Sequence, residues 1–242
     1  GLCWSSCTNE VDEFIGNVEP STRSVSTALN ANLASLFTGG APTLTSAEIK
    51  EVNDAYAKMT SINCYRNIDE AVRNKTSYAG TIFLDDTYAS AYFRKGSLAF
   101  PPYGILASSM EHEFIHMYQR DVQGKKVDTD KEKRDTGMME FELAFYQGII
   151  RYIHAGYSWT FKGEDGDPSY QSLWTSGLTD PSLIPQYERE FQTYVASICA
   201  NGKPTSIDIN EFVKWSNIFG EYSRGYSGKG YKFGNYDYGT SC

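Results

Sequence analysis

The feature that most constrains this chain is a pair of histidines four residues apart, in the stretch His112-Glu113-Phe114-Ile115-His116. On a helix this offset places both imidazoles on one face, one turn apart. Two neutral imidazoles in that arrangement can bind one Zn²⁺, with each nitrogen about 2.0–2.1 Å from the metal. The chain has only three histidines, so finding two of them at this spacing argues against coincidence.

Glu113 follows the first histidine directly, so its carboxylate lies beside the predicted metal without having to bind it. There it can take a proton from a zinc-bound water, whose pKa the metal lowers to about 7 in catalytic sites. The alternative interpretation is that both histidines fall by chance on a solvated helix.

The residues around this motif predict the helix that such a site needs. Pro101-Pro102-Tyr103-Gly104 is a helix entry signal, and Gly124 is a C-terminal stop signal. Between them apolar residues recur at three- and four-residue steps: Leu106, Met110, Phe114 and Met117. This spacing predicts an amphipathic helix with the motif near its centre.

A catalytic zinc site of this type also needs a third protein ligand and one open position. A third histidine of the metzincin kind is excluded, because Gln119 and Val122 stand where that pattern has its Gly and its last His. The other source of a ligand is a glutamate on a second helix. Residues 138–150 predict such a helix, with Asp135 or Thr136 as its N-cap.

Two glutamates of this second helix compete for the role of ligand. Glu140 shares a face with Ala144 and Gly148, whose small size would let the two helices approach closely. Glu142 shares its face with residues typical of a core: Phe145, Tyr146 and Ile149. We therefore predict Glu140 as the third ligand, and expect Glu142 to be hydrogen-bonded nearby or exposed.

A motif helix followed by a helix with a ligand Glu resembles the gluzincin pattern of zinc metallopeptidases. The stretch from His112 to Gln119, followed by Glu140-Phe141-Glu142, is similar to secreted bacterial proteins described as metallopeptidases, over roughly residues 105–152. The residues from Glu140 to Ala144 also resemble the Glu-x-x-Ala-Asp stretch of integral-membrane gluzincins, which implies that Glu140 binds zinc. The chain departs from that stretch at Ala144, where those families place an Asp that orients a ligand histidine.

The charge of the chain argues against nucleic-acid binding, and its hydropathy argues against a membrane-spanning segment. The net charge of −8 and the pI of about 5.0 argue against nucleic-acid binding. No run of 18 apolar residues occurs, so we expect no transmembrane segment. Residues 1–22 are predicted to be a polar N-terminal leader or tether, and a lipid anchor at the N-terminus stays open.

The cysteines favour an exported protein. They are spread along the chain, at Cys3, Cys7, Cys64, Cys199 and Cys242, and no second Cys or His pair stands behind Cys3 and Cys7 to complete a zinc finger. This distribution is typical of disulfides in an exported protein, so we expect the chain to be secreted or at a cell surface or in a periplasm. Reduced cysteines in a cytosolic protein are the alternative.

The predicted fold is α+β, a zincin-like domain that is mostly helical with a small mixed sheet. Residues 23–242 form this single metallopeptidase domain, including a helical and Tyr/Gly-rich C-terminal part. The predicted helices cover residues 23–37, a segment after the Thr45–Glu48 capping box, and residues 185–200 and 207–219. The predicted strands cover residues 80–85 and 91–94. Residues 96–100 are either the edge strand that pairs with extended substrate in zincins or an ordinary strand.

These features together predict a zinc-dependent peptidase in which a metal-activated water attacks a peptide bond and Glu113 is the general base. Its partner would be a peptide or protein substrate. His154 could point toward the site, but a histidine unrelated to the metal is the simpler interpretation. Two alternatives stay open: a catalytically degenerate zincin that acts as an extracellular binding protein, and a cytosolic enzyme that acts on a non-peptide amide.

Overall fold

The computed structural model describes residues 27–125 and a smaller set of positions in the C-terminal half. These further residues are Met139, Glu142, Leu143, Phe145, Tyr146, Gln147, Ile149, Ile150, Glu190, Thr193, Tyr194, Ser197, Asp208, Asn210, Glu211, Val213 and Lys214. Within this part of the chain, helices and a small three-stranded sheet give an α+β fold.

Helix α2, Ser46–Thr60, begins at the predicted capping box. The backbone N–H of Thr45 donates to the Glu48 carboxylate at 2.7 Å, and the N–H of Glu48 donates back to the Thr45 hydroxyl at 3.3 Å. Two backbone donors that the first turn would leave without partners are thereby satisfied. The prediction of a helix at this point is confirmed.

Helix α1 is shorter than predicted and spans Ala31–Leu36. The Asn30 side chain accepts a hydrogen bond from the N–H of Asn32 at 2.9 Å and so caps the helix. Before it, the Asn53 side chain accepts from the N–H of Asn30 and donates to the carbonyl oxygen of Ala28. Because α2 binds this segment in a non-helical form, the predicted helical start ahead of residue 30 is wrong for the described residues 27–30.

Helix α3, Asn63–Lys75, was not predicted. Its buried apolar positions follow helical spacing: Cys64, Tyr65, Ile68 and Val72. Its N-cap position is Ile62, which makes no side-chain capping hydrogen bond. The start signal that identified α2 is therefore missing here, although the period of a helix is present.

The sheet has the order β1-β3-β2, with strands Ile82–Leu84, Tyr92–Arg94 and Ser97–Phe100 numbered along the chain. Strand β3 pairs in parallel with β1 and antiparallel with β2, so the predicted small mixed sheet is confirmed among the described residues. Lys95 and Gly96 join β2 to β3, with φ angles of 50° and 78°. Two consecutive residues with positive φ form the tight turn that matches the twist of a hairpin.

The position of β3 decides between two alternatives. We expected residues 96–100 to be either the edge strand that receives substrate or an ordinary strand, and the sheet order places β3 in the centre. The tight hairpin turn gives it β2 on one side, and β1 covers its other side. Within the part of the chain that the structure describes, β3 therefore has no free edge for an extended peptide.

Helix α4, Ala107–Met117, carries the histidine motif and continues into a π-helical turn, Tyr118–Val122. It packs against α2 and α3 through its buried Met110, Phe114, Ile115 and Met117. The ring of Phe114 contacts that of Tyr56 on α2, with centroids 6.1 Å apart. The motif helix is therefore fixed to the core along one face.

The described residues between 138 and 150 are helical, as predicted, and we call them the second helix. The predicted core face is confirmed, because Leu143, Phe145, Tyr146 and Ile149 are buried. Tyr146 contacts Tyr65 of α3 edge to face, at a centroid distance of 6.5 Å. Contact with α3 gives the second helix a fixed place beside the motif helix, which also packs on α3.

The described positions of the two C-terminal helical segments also agree with the prediction. The described positions from 190 to 197 and from 210 to 214 are helical, and the Asp208 carboxylate just before the second set accepts from the N–H of Asn210 at 2.7 Å. Tyr194 stacks on Phe145 at 5.9 Å, which connects the C-terminal part to the second helix. No helix among the described residues is long and apolar enough to cross a membrane.

Candidate metal centre

The two motif histidines bring one ring nitrogen of each side chain close together. His112 and His116 lie on one face of α4, and their Nε2 atoms are 3.1 Å apart. Their rings are nearly perpendicular, at 81°, with centroids 4.7 Å apart. Both histidines are partly exposed, whereas the apolar residues Met110, Phe114, Ile115 and Met117 of the same helix are buried.

This geometry fits a zinc site on the side of the histidines. Two nitrogens that each lie about 2.0–2.1 Å from one tetrahedral zinc are separated by about 3.3 Å. The observed separation of 3.1 Å between the Nε2 atoms is close to that value. The separation of the two nitrogens is therefore the one that a shared zinc ion requires, to within a few tenths of an ångström.

Glu113 lies on the same helix as the two histidines and is only 5% exposed. Its place next to His112 in the chain puts it about 100° further around the helix. Glu113 is therefore a buried carboxylate of the motif helix and not a solvated surface charge.

The helix changes its hydrogen-bonding period directly after His116. Residues Tyr118–Val122 form a π-helical turn, and Gly124, with φ of +70°, ends the helix. Lys125 then folds back, so that its N–H donates to the carbonyl oxygen of Gln119 at 2.9 Å. A left-handed glycine that closes a helix in this way is a common C-terminal cap.

The fully buried Gln119 contacts one of the histidines. Its Oε1 atom lies 3.0 Å from Nδ1 of His116, on the side of the ring away from His112. Its Nε2 atom donates to the carbonyl oxygen of Met139 at 3.0 Å and lies 3.5 Å from Glu142. One side chain thus joins the motif helix to the second helix.

Glu142 forms a buried ion pair with Lys125. The ammonium nitrogen lies 2.6 Å from each carboxylate oxygen, and the Lys125 side chain is 14% exposed. Burial lowers the pKa of the Lys125 ammonium below its ordinary value of 10.5, and the Glu142 carboxylate opposes that shift without cancelling it. Lys125 begins a run of charged residues in the sequence, and such a run is typical of a solvated segment, but the Lys125 ammonium itself is held against Glu142.

A second cluster anchors the π-helical turn on its other side. Arg120 binds Asp121 with both its Nε and Nη2 atoms, at 2.9 and 2.6 Å, and Tyr78 donates its hydroxyl to the same carboxylate. The Arg120 guanidinium also lies over the ring of Phe93 in β2, 4.4 Å from its centroid. The turn that carries Gln119 is therefore held to the sheet as well as to the second helix.

Several predicted site residues lie outside the described residues, namely Glu140, Ala144, Gly148 and His154. The assignment of Glu140 as the third ligand stays a prediction. Among the described residues, no group of three or more His, Cys, Asp or Glu side chains could hold a metal ion. The structure therefore describes the two predicted histidine ligands, His112 and His116, but not the predicted third ligand, Glu140.

Comparison with known proteins finds no match to this chain among protein-family models, curated proteins or solved structures.

Two residues of the site region were not recognised from the sequence. Gln119 stands three residues after His116, on the same helical face, and that spacing is a usable signal for a side chain that contacts the ring. Lys125 gave no such signal. It begins a run of charged residues, and such a run is usually solvated.

Proposed function

We propose that this protein is a zinc-dependent peptidase with a zincin-like domain. The convergence of the His112 and His116 Nε2 atoms, 3.1 Å apart, is the observation that carries the proposal. His112 and His116 would hold the ion, and Glu140 of the second helix would complete the ligand set. The described part of the second helix packs on α3 beside the motif helix, which supports a ligand from that direction.

A bound zinc ion would supply Lewis acidity, which lowers the pKa of a bound water to about 7 and polarises a carbonyl. The protein supplies the proton transfer. Glu113 takes a proton from the attacking water and then passes it to the nitrogen of the leaving amine. Glu113 is only 5% exposed, so its side chain has fewer accessible conformations than a surface carboxylate.

Elemental analysis of the purified protein tests the metal part of this proposal. We expect about one zinc per chain, and loss of most of it in His112→Ala and in His116→Ala. Replacing the third histidine, His154→Ala, is the matched control and should leave the zinc content unchanged. Full zinc occupancy in both motif variants would contradict the assignment.

Cleavage of a peptide library tests the catalytic part. We expect Glu113→Gln to keep the metal and lose at least about 100-fold in rate, because the amide cannot accept the proton. The amide keeps the size of the side chain, so the fold should not change. A protein that binds zinc but cleaves no peptide, before or after this change, would support the alternative of a degenerate zincin that binds a partner.

We further propose that the protein is exported. Cys64, on α3, is fully buried and disulfide-bonded, and the other four cysteines lie outside the described residues. Disulfides persist in oxidising compartments and are rare in the cytosol. A thiol count on denatured, unreduced protein should give fewer than the five thiols of the sequence. Five free thiols in freshly isolated protein would favour the cytosolic alternative.

A further inference from the structure

The carboxamide of Gln119 has only one orientation that satisfies its neighbours. One end of the amide faces the carbonyl oxygen of Met139 at 3.0 Å and the Glu142 carboxylate at 3.5 Å. Both of these groups only accept hydrogen bonds, the carboxylate because Lys125 donates to both of its oxygens. The NH₂ group must therefore point toward the second helix, and Oε1 toward His116.

This orientation determines which nitrogen of His116 carries the proton. Oε1 of Gln119 lies 3.0 Å from Nδ1 of His116 and can only accept. Nδ1 must then be the donor. In a neutral imidazole one nitrogen carries the proton and the other carries a lone pair, so the lone pair of His116 is on Nε2.

We propose that Gln119 is a positioning residue that fixes His116 in the Nδ1–H tautomer and directs its Nε2 lone pair toward His112. The effect on zinc affinity rests on the proposed function. The tautomer of His116 follows from the hydrogen bonds alone and does not depend on zinc. Metal-bound histidines generally donate their second N–H to an oxygen that sets the ring orientation. In this chain a glutamine of the motif helix itself provides that oxygen.

The same amide also sets the register between the two helices. Its second hydrogen bond goes to the backbone carbonyl of Met139, and Glu140 is the next residue in the chain. A single side chain thus connects a metal-binding histidine with the peptide unit that leads to the predicted glutamate ligand. Lys125 adds two further contacts between the same segments. Its backbone N–H donates to the Gln119 carbonyl oxygen, and its ammonium donates to the Glu142 carboxylate.

Long-range ¹H–¹⁵N NMR of the histidine rings in metal-free protein tests the proposal. The parent should show His116 protonated on Nδ1. In Gln119→Met, which has similar size and no amide, the population should shift toward the Nε2–H form. Zinc affinity should fall about 10- to 100-fold, the range found for partners that orient metal-binding histidines.

Two further variants make the test specific. Gln119→Glu keeps an oxygen that can accept from Nδ1–H, so the tautomer should stay as in the parent. Its second oxygen faces the Met139 carbonyl and the Glu142 carboxylate, so this variant should be less stable than the parent. Gln123→Met is the matched control, because the buried amide of Gln123 makes no hydrogen bond with any described residue. It should leave both the tautomer and the zinc affinity unchanged.

The outcomes separate this proposal from the proposed function. An unchanged His116 tautomer in Gln119→Met would overturn the positioning role, whether or not the protein binds zinc. A shift of the tautomer in a protein that takes up no zinc would uphold the positioning role and contradict the zinc peptidase. A shift of the same size in Gln123→Met would also overturn the role of Gln119, since a general loosening of the turn would then explain both.

Discussion

Lys125 places its ammonium group 2.6 Å from both carboxylate oxygens of Glu142. The pair lies inside the protein, and Glu142 is fully buried. A carboxylate that already binds a cation with both oxygens would have to give up that partner to bind zinc. The pair therefore favours the other glutamate of the second helix, Glu140, as the metal ligand.

The first prediction separates these two glutamates. We expect Glu140→Ala to weaken zinc binding by more than about 100-fold. This loss is larger than the loss found when a hydrogen-bond partner of a metal ligand is removed. Glu142→Gln should weaken it by about tenfold or less, because it removes a charge that binds Lys125 rather than the metal. Zinc dissociation constants of the two variants, measured by competition with a chelator, decide between them. A larger loss for Glu142→Gln would reverse the assignment.

The second prediction concerns the stability of the ion pair itself. Replacing only Lys125 with Met leaves Glu142 buried without its cation and should cost roughly 3–5 kcal/mol. Replacing only Glu142 with Leu should cost less, because the pKa of Lys125 is already lowered and its side chain is partly exposed. The double variant should be more stable than Lys125→Met alone. Urea unfolding of the four proteins measures this cycle, and strictly additive losses would show that the pair is not coupled.

The third prediction is a pH dependence at Asp121. Burial by itself raises the pKa of this carboxyl, but hydrogen bonds from Arg120 and Tyr78 outweigh burial and hold the pKa below its ordinary value of 3.8. A depressed pKa in the folded state stabilises the protein above the unfolded pKa, and that stability is lost as the pH falls through the folded value. Asp121→Asn should therefore cost about 1.5 kcal/mol at pH 7, with the difference shrinking below about pH 4.

An exposed pair provides the control for this measurement. Asp54 pairs with Lys50 on the surface of α2, and its side chain is 64% exposed. Asp54→Asn should change the free energy of unfolding by less than about 0.5 kcal/mol. If thermal or urea unfolding shows equal effects for the two substitutions at pH 7, the Asp121 cluster does not contribute as inferred.

The fourth prediction tests the cap of α2. Thr45→Ala removes the oxygen that accepts from the N–H of Glu48 and should lower stability by about 1 kcal/mol. Thr45→Ser keeps that oxygen and should cost only a small fraction of this amount. Because α2 packs on the motif helix, both variants should also be assayed for zinc content, which we expect to stay unchanged.

Regular local patterns made much of the fold predictable from sequence. The motif helix was identified by apolar spacing together with its Gly124 stop, and α2 by its capping box. The core face of the second helix followed from the period of its aromatic and aliphatic residues. Each of these signals depends on neighbours within one or two helical turns, which the sequence displays directly.

The remaining features depend on contacts between distant segments. The central place of β3 follows from pairing with β1, which no local pattern encodes. Lys125 begins a run of charged residues in the sequence and pairs with Glu142, which lies 17 residues further along the chain, so no local pattern distinguishes this buried lysine from a solvated one. Helix α3 is different, because its apolar period was visible in the sequence and only the start signal was missing.

The π-helical turn after His116 sets the direction in which the chain leaves the motif helix. A π-helical turn closes each hydrogen bond over one residue more than an α-helix, so the same five residues Tyr118–Val122 wound as α-helix would carry Gly124 and Lys125 further around the axis. Lys125 would then point away from Glu142, even with every side chain of the site retained. Related chains that share the histidine pair and the Lys125–Glu142 pair should therefore either keep the π-helical turn or be shorter by one residue at this point.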